Sequence, residues 1–97
     1  MVVEDDEFQR LVIIGYLVLC EFKAVGVANG RLALEELRKP KNDFDLILLD
    51  LTMPEMNGFE LLSLIQEDQG LKRIPVVVMS STESKKIISH CLCKFLL

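Results

Sequence analysis

Two uninterrupted apolar runs, residues 46–49 (LILL) and 76–78 (VVV), constrain the fold most. Neither alternates with polar residues, and each is bracketed too closely by turn and charged residues to be a helix. Strands that are apolar on both faces belong in a parallel sheet covered by helices on either side. The rest of the chain supplies those helices, so the order reads β-α-β-α-β-α-β-α. Val2 and Val3 form the stub of a first strand, followed by a helix from about residue 7 to 20 with Asp6 as its N-cap. A second strand covers 23–28 (KAVGVA) and closes at Asn29-Gly30, where Asn29 caps a helix over 31–37 that Pro40 ends. The third strand is 45–50 (DLILLD). A third helix spans 59–66, with Phe59, Leu62 and Ile65 on one face and Gly70 as its stop. The fourth strand, 75–80 (PVVVMS), leads into a helix beginning around Glu83.

With 97 residues and 51% apolar composition, this is one packed domain, 1–97, without repeats or linkers. The net charge of −4 argues against a nucleic-acid backbone as partner and for metal ions or basic surfaces. The longest uncharged run, 11–20, is far too short for a bilayer span and lacks the flanks of a signal peptide. A location in cytoplasm or nucleus is therefore expected, with no membrane contact. The three cysteines, Cys20, Cys91 and Cys93, are expected to be reduced. The HCLC segment at 90–93 has Ile87 and Ile88 at helical spacing and no second ligand cluster, so it is not read as a metal site.

In a doubly wound sheet, chemistry sits just beyond the carboxyl ends of the strands. Those ends carry Glu4 and Asp5, then Asp50, then Ser80. If the first and third strands are neighbours, three acids crowd into one pocket and repel one another unless a cation neutralises them. Hard oxygen donors with room for water and phosphate suit Mg²⁺, and Asp50 beside such an ion becomes a nucleophile able to form an acyl phosphate. Ser80 would hydrogen-bond a phosphoryl oxygen. Taken alone, Asp50 reads more readily as a solvated turn residue or a helix cap; the acid pair and the serine shift the reading to chemistry. Glu55, Glu60, Glu67 and Asp68 read as solvated surface.

The segments VVEDD (2–6), ANG (28–30), FDLILLDLTMPEMNGFELL (44–62) and IPVVVMSS (74–81) occur in the order and spacing of the receiver domain of two-component response regulators, which the chain resembles over nearly its whole length. The resemblance implies a flavodoxin-like fold with strand order 2-1-3-4 and a phosphoryl group accepted from phosphohistidine on a histidine kinase or phosphotransfer protein. It implies Asp50 as acceptor, Asp5 as direct Mg²⁺ ligand, Glu4 as a ligand through water, the Thr52 backbone carbonyl as a further ligand and Ser80 as hydroxyl switch. Thr52 and Thr82 would flank the attacking water, and neither is a water-orienting acid or amide. Such a domain is a signalling phosphoacceptor, not a turnover enzyme. The MSS after strand four and the KIISHCLCK helix are similar to plant receivers, including clock-associated pseudo-response regulators.

The chain also departs from that family. Where a Gly-Ala turn, a fifth strand with its aromatic switch and lysine, and a fifth helix are expected, the sequence reads Phe95-Leu96-Leu97 after Lys94. Lys94 stands too few residues beyond Ser80 to be the family's lysine. The domain is thus expected to be incomplete at its C-terminus and shortened at its first strand, with an open fourth strand prone to self-association. In the first helix, Leu11, Ile14, Val18 and Leu19 make apolar a face that receivers usually leave polar, suited equally to docking a kinase or phosphotransfer helix and to packing within a rearranged or dimeric chain. Glu21 replaces the glycine that commonly ends this helix. Two alternatives remain: a pseudo-receiver acting only as a protein-interaction module, and a haloacid-dehalogenase-like phosphohydrolase. The latter usually has a second acid at the position of Thr52.

Overall fold

The computed structural model describes residues 1–41, 43–50 and 58–79. Its elements are β1 (Val2–Val3), α1 (Glu7–Leu19), β2 (Gly26–Val27), α2 (Gly30–Leu37), β3 (Ile47–Asp50), α3 (Gly58–Glu67) and β4 (Val76–Met79). All strand pairs are parallel and the sheet order is β2-β1-β3-β4, as expected.

β1 and β3 are buried on both faces because consecutive residues enter different cores, whereas in β4 Val76 and Val77 are half-buried and Val78 is exposed. Val3, Ile47 and Leu49 join α2 and α3 through Ala33, Leu34, Leu37, Leu61 and Ile65. Val2, Leu48 and Met79 face the other way, onto Ile13 and Leu17 of α1. A strand such as β3 therefore cannot tolerate a polar residue at any position before its end.

Both expected N-caps are present. Asp6 accepts a hydrogen bond from Gln9 N–H and Asn29 accepts one from Leu32 N–H. At the end of α1, Phe22 N–H reaches Leu17 O at 2.9 Å and Glu21 N–H reaches Val18 O at 3.0 Å. These two bonds define a Schellman turn, with Phe22 and Leu17 in the same apolar cluster. The turn needs a left-handed residue after the cap, and Glu21 occupies it at φ 68°.

Several expectations are corrected. β2 is limited to Gly26–Val27 instead of 23–28, because β1 offers only Val2 and Val3 as partners. Phe59, expected to face inward on α3, is 64% exposed, and Leu61 and Ile65 carry the buried face. Asp68 does more than solvate the surface: its Oδ1 accepts from Gly70 N–H at 2.8 Å and Leu71 N–H at 3.2 Å, building the turn after α3. Ile14, placed on the outer face of α1 by periodicity, packs against the inner cluster. Cys20 is disulfide-bonded, contrary to the expectation of reduced thiols. The helix expected from Glu83, together with His90, Cys91, Cys93 and Lys94, lies outside the described residues.

Met1 extends the central strand inward. Its O accepts from Leu48 N–H at 2.8 Å and its ammonium donates to Leu46 O at 2.9 Å. Burial lowers the pKa of this ammonium below 8.0, with Asp45 opposing the shift. Among the described residues, no helix is long and apolar enough to cross a membrane.

Candidate functional site

The register brings the acids together. Val3 pairs with Leu49, so the next residue of each chain segment, Glu4 and Asp50, leaves the sheet side by side. Carboxylate oxygens of Glu4, Asp5 and Asp50 all lie within 4.8 Å of one another. Asp50 is 4% exposed and Glu4 1%, whereas Asp5 is exposed. One wall of the cluster is thus dry and the other open to solvent.

Local structure fixes Glu4 on three sides. Its N–H donates to Val27 O at 3.1 Å, continuing the β1–β2 ladder. Its Oε1 accepts from Asp6 N–H at 3.2 Å, and its backbone oxygen accepts from Arg10 Nη1 at 2.9 Å. Carboxylates held this close, two of them nearly buried, repel one another, and a hard divalent cation with oxygen preference is the counter-charge that such a donor set fits. The donors are all carboxylate oxygens, with neither sulfur nor imidazole among them, so Mg²⁺ suits the set better than Zn²⁺. Glu4, Asp5 and Asp50 are the residues that would hold it.

Sequence reasoning placed Glu4, Asp5 and Asp50 correctly at one end of the sheet. Thr52, Ser80 and Thr82 lie outside the described residues. Arg10 was missed; its one available signal was a basic residue one helical turn after the acid pair. On the outer side of α1, Leu11, Val18 and Leu19 are exposed as expected, joined by Phe8 at 75% exposure. Gly15 sits at the middle of this stripe, and a Cβ added there would meet nothing within 4 Å.

A model of the response regulator receiver domain family matches residues 1–94. The chain is 38% identical over 94 residues to the two-component response regulator-like protein APRR9 of Arabidopsis thaliana, covering 97% of this chain and 20% of that protein. It is 42% identical over 92 residues to the two-component response regulator ORR11 of Oryza sativa subsp. japonica, covering 95% of this chain and 62% of the other. The chain thus spans less than two thirds of these relatives. Among solved structures, it resembles the phosphorylated cyanobacterial phytochrome response regulator RcpA, with TM-score 0.75 and 35% identity over 95% of this chain and 71% of that one. It also resembles the N-terminal domain of a response regulator receiver protein from Methanoculleus marisnigri JR1, with TM-score 0.73 and 28% identity over 92% and 75% of the two chains. The acid cluster at the end of a 2-1-3-4 parallel sheet and these likenesses agree, and the chain belongs to the response regulator receiver domain family.

Proposed function

We propose that the chain is a phosphoacceptor of a phosphorelay, taking a phosphoryl group from phosphohistidine onto Asp50 with Mg²⁺ at the acid cluster. The observation that carries this reading is the convergence of Asp50 with Glu4 and Asp5 at the end of the central strands. A carboxylate oxygen of Asp50 bonds to phosphorus as the bond from phosphorus to the donor imidazole nitrogen breaks, and its electron pair leaves with the imidazole. Bound Mg²⁺ supplies counter-charge to the phosphoryl oxygens. Asp5 would hold the ion directly and Glu4 through water; the family resemblance adds the Thr52 carbonyl as a further ligand and the Ser80 hydroxyl as the switch that would bind a phosphoryl oxygen. The chain then acts as a signalling phosphoprotein, not a turnover enzyme, in cytoplasm or nucleus.

The donor is a histidine kinase or histidine phosphotransfer protein that docks on α1. The exposed stripe of Phe8, Leu11, Val18 and Leu19 supports this docking, because an apolar patch on a surface helix marks association. Gly15 gives a docking helix room to approach closely. Asp5, Asp6 and Glu7 flank the stripe at its amino end and favour a basic partner surface. The test is labelling by a phosphorylated phosphotransfer protein: transfer should require Mg²⁺ and vanish in Asp50→Asn. Docking on α1 without any labelling would sink the phosphoacceptor reading and leave the interaction module that the same stripe supports.

A further inference from the structure

The Arg10 guanidinium directs a charged donor at a backbone carbonyl, with Nη1 2.9 Å from Glu4 O. Its stem is held as well. A Cβ built on Gly26 would stand 3.1 Å from both Cγ and Cδ of Arg10, and 2.5 Å from Ile14 Cδ1. The stem therefore lies against the β2 backbone, where the absence of a side chain at Gly26 makes room for it. Arg10 is fixed at both ends, by Gly26 beneath and by Glu4 at the head.

The carbonyl it holds belongs to the peptide that joins Glu4 to Asp5. A peptide moves as one plane, turning about ψ of the first residue and φ of the next. That plane sets the direction in which Asp5 leaves the strand relative to Glu4. The near side of Glu4 is already anchored, because its N–H is tied to Val27 O. We infer that Arg10 is a positioning residue: by holding the Glu4–Asp5 peptide, it fixes the angle between two of the three carboxylates so that their oxygens converge on one cation. This deepens the Mg²⁺ reading of the site and rests on it.

Two effects of Arg10 oppose each other. As a cation near a cation site it repels Mg²⁺, which for a half-exposed charge acting across water at 0.1 M salt amounts to about twofold in affinity. As an orienting group behind the ligands it favours binding, and loss of such a group typically costs ~10–100-fold. Positioning wins by these magnitudes, and the sign of the measured change tells the two apart.

The test is calorimetric titration of the unphosphorylated chain with Mg²⁺ alone. Arg10→Met keeps an apolar stem over Gly26 and removes the donor; it should bind about tenfold more weakly. Arg10→Lys keeps a charged donor and should recover to within about threefold of the parent, a rescue that loss of packing alone would not give. In an Asp5→Asn background, Arg10→Met should have almost no further effect, since the carboxylate it orients is gone. If Arg10→Met does not fold, as judged by circular dichroism, Arg10→Leu, which also lacks a donor, replaces it with the same expected weakening. A parent that binds Mg²⁺ while the donor-less variant binds equally or more tightly overturns the assignment to Arg10 alone. A parent that takes up no Mg²⁺ overturns the metal reading and this inference together.

Discussion

Replacing Glu21 by glycine should stabilise the protein, although it removes a charged side chain and adds no contact. Glu21 holds φ 68° in the Schellman turn after α1. For an L-residue this left-handed conformation costs about 1–2 kcal/mol, while glycine adopts it freely. Glycine also widens the unfolded ensemble, which takes back ~0.5–1 kcal/mol. The carboxylate of Glu21 lies beyond the negative end of the helix dipole, and its removal adds a few tenths more, on the order of 0.3 kcal/mol. The net gain is about 1 kcal/mol, or roughly 4–6 °C in Tm for a domain of this size. Thermal unfolding followed by circular dichroism measures it. Glu21→Ala is the decisive companion, because it removes the charge and keeps the strained φ; it should move Tm by no more than about 2 °C. If alanine stabilises as much as glycine, the backbone argument fails and the charge accounts for the effect.

The same substitution should have opposite signs at two other glycines. Gly15→Ala meets open space in a helix interior and should gain ~0.5–1 kcal/mol, whereas Gly26→Ala meets Ile14 Cδ1 and the Arg10 stem and should lose about 1 kcal/mol; melting curves for the pair check both. Mg²⁺ at about 100 times its Kd should raise stability by ~2.7 kcal/mol, and Asp5→Asn should abolish most of that gain in a melt with and without the ion. A polypeptide beginning at Met1 should become more stable as pH rises toward 8.0. The amine's folded pKa is lowered by burial, so over the interval below 8.0 the unfolded chain binds more protons than the folded one. N-terminal acetylation should remove that slope in urea titrations across pH 6–8.5.

The architecture was legible because a run such as 46–49 is apolar at every position, a pattern that only a doubly covered strand needs. The caps Asp6 and Asn29 were equally legible, since capping is a local bond between residues three apart. What failed depended on neighbours distant in sequence. β2 is short because β1 is short, and nothing within KAVGVA reveals that. Phe59 and Ile14 obey helical periodicity, but the position of the sheet decides which part of each helix is inside. The acids Glu4, Asp5 and Asp50 could be placed from strand ends alone. Arg10 could not, because its role depends on the path of a side chain over another strand's backbone.

The placement of β1 between β2 and β3 has a consequence for synthesis on the ribosome. β1 emerges first, yet Val2 finds its partner Leu48 only 46 residues later. At about 5–20 residues per second, it waits roughly two to nine seconds without its central neighbour. During that interval α1 has no apolar surface from β3 on which to rest Ile13 and Leu17, and Asp50 has not been made. A nascent chain that stalls before residue 50 therefore possesses neither sheet nor acid cluster. Folding and the capacity to bind a cation arrive in the same event, when β3 leaves the exit tunnel and inserts beside the strand that has been waiting for it.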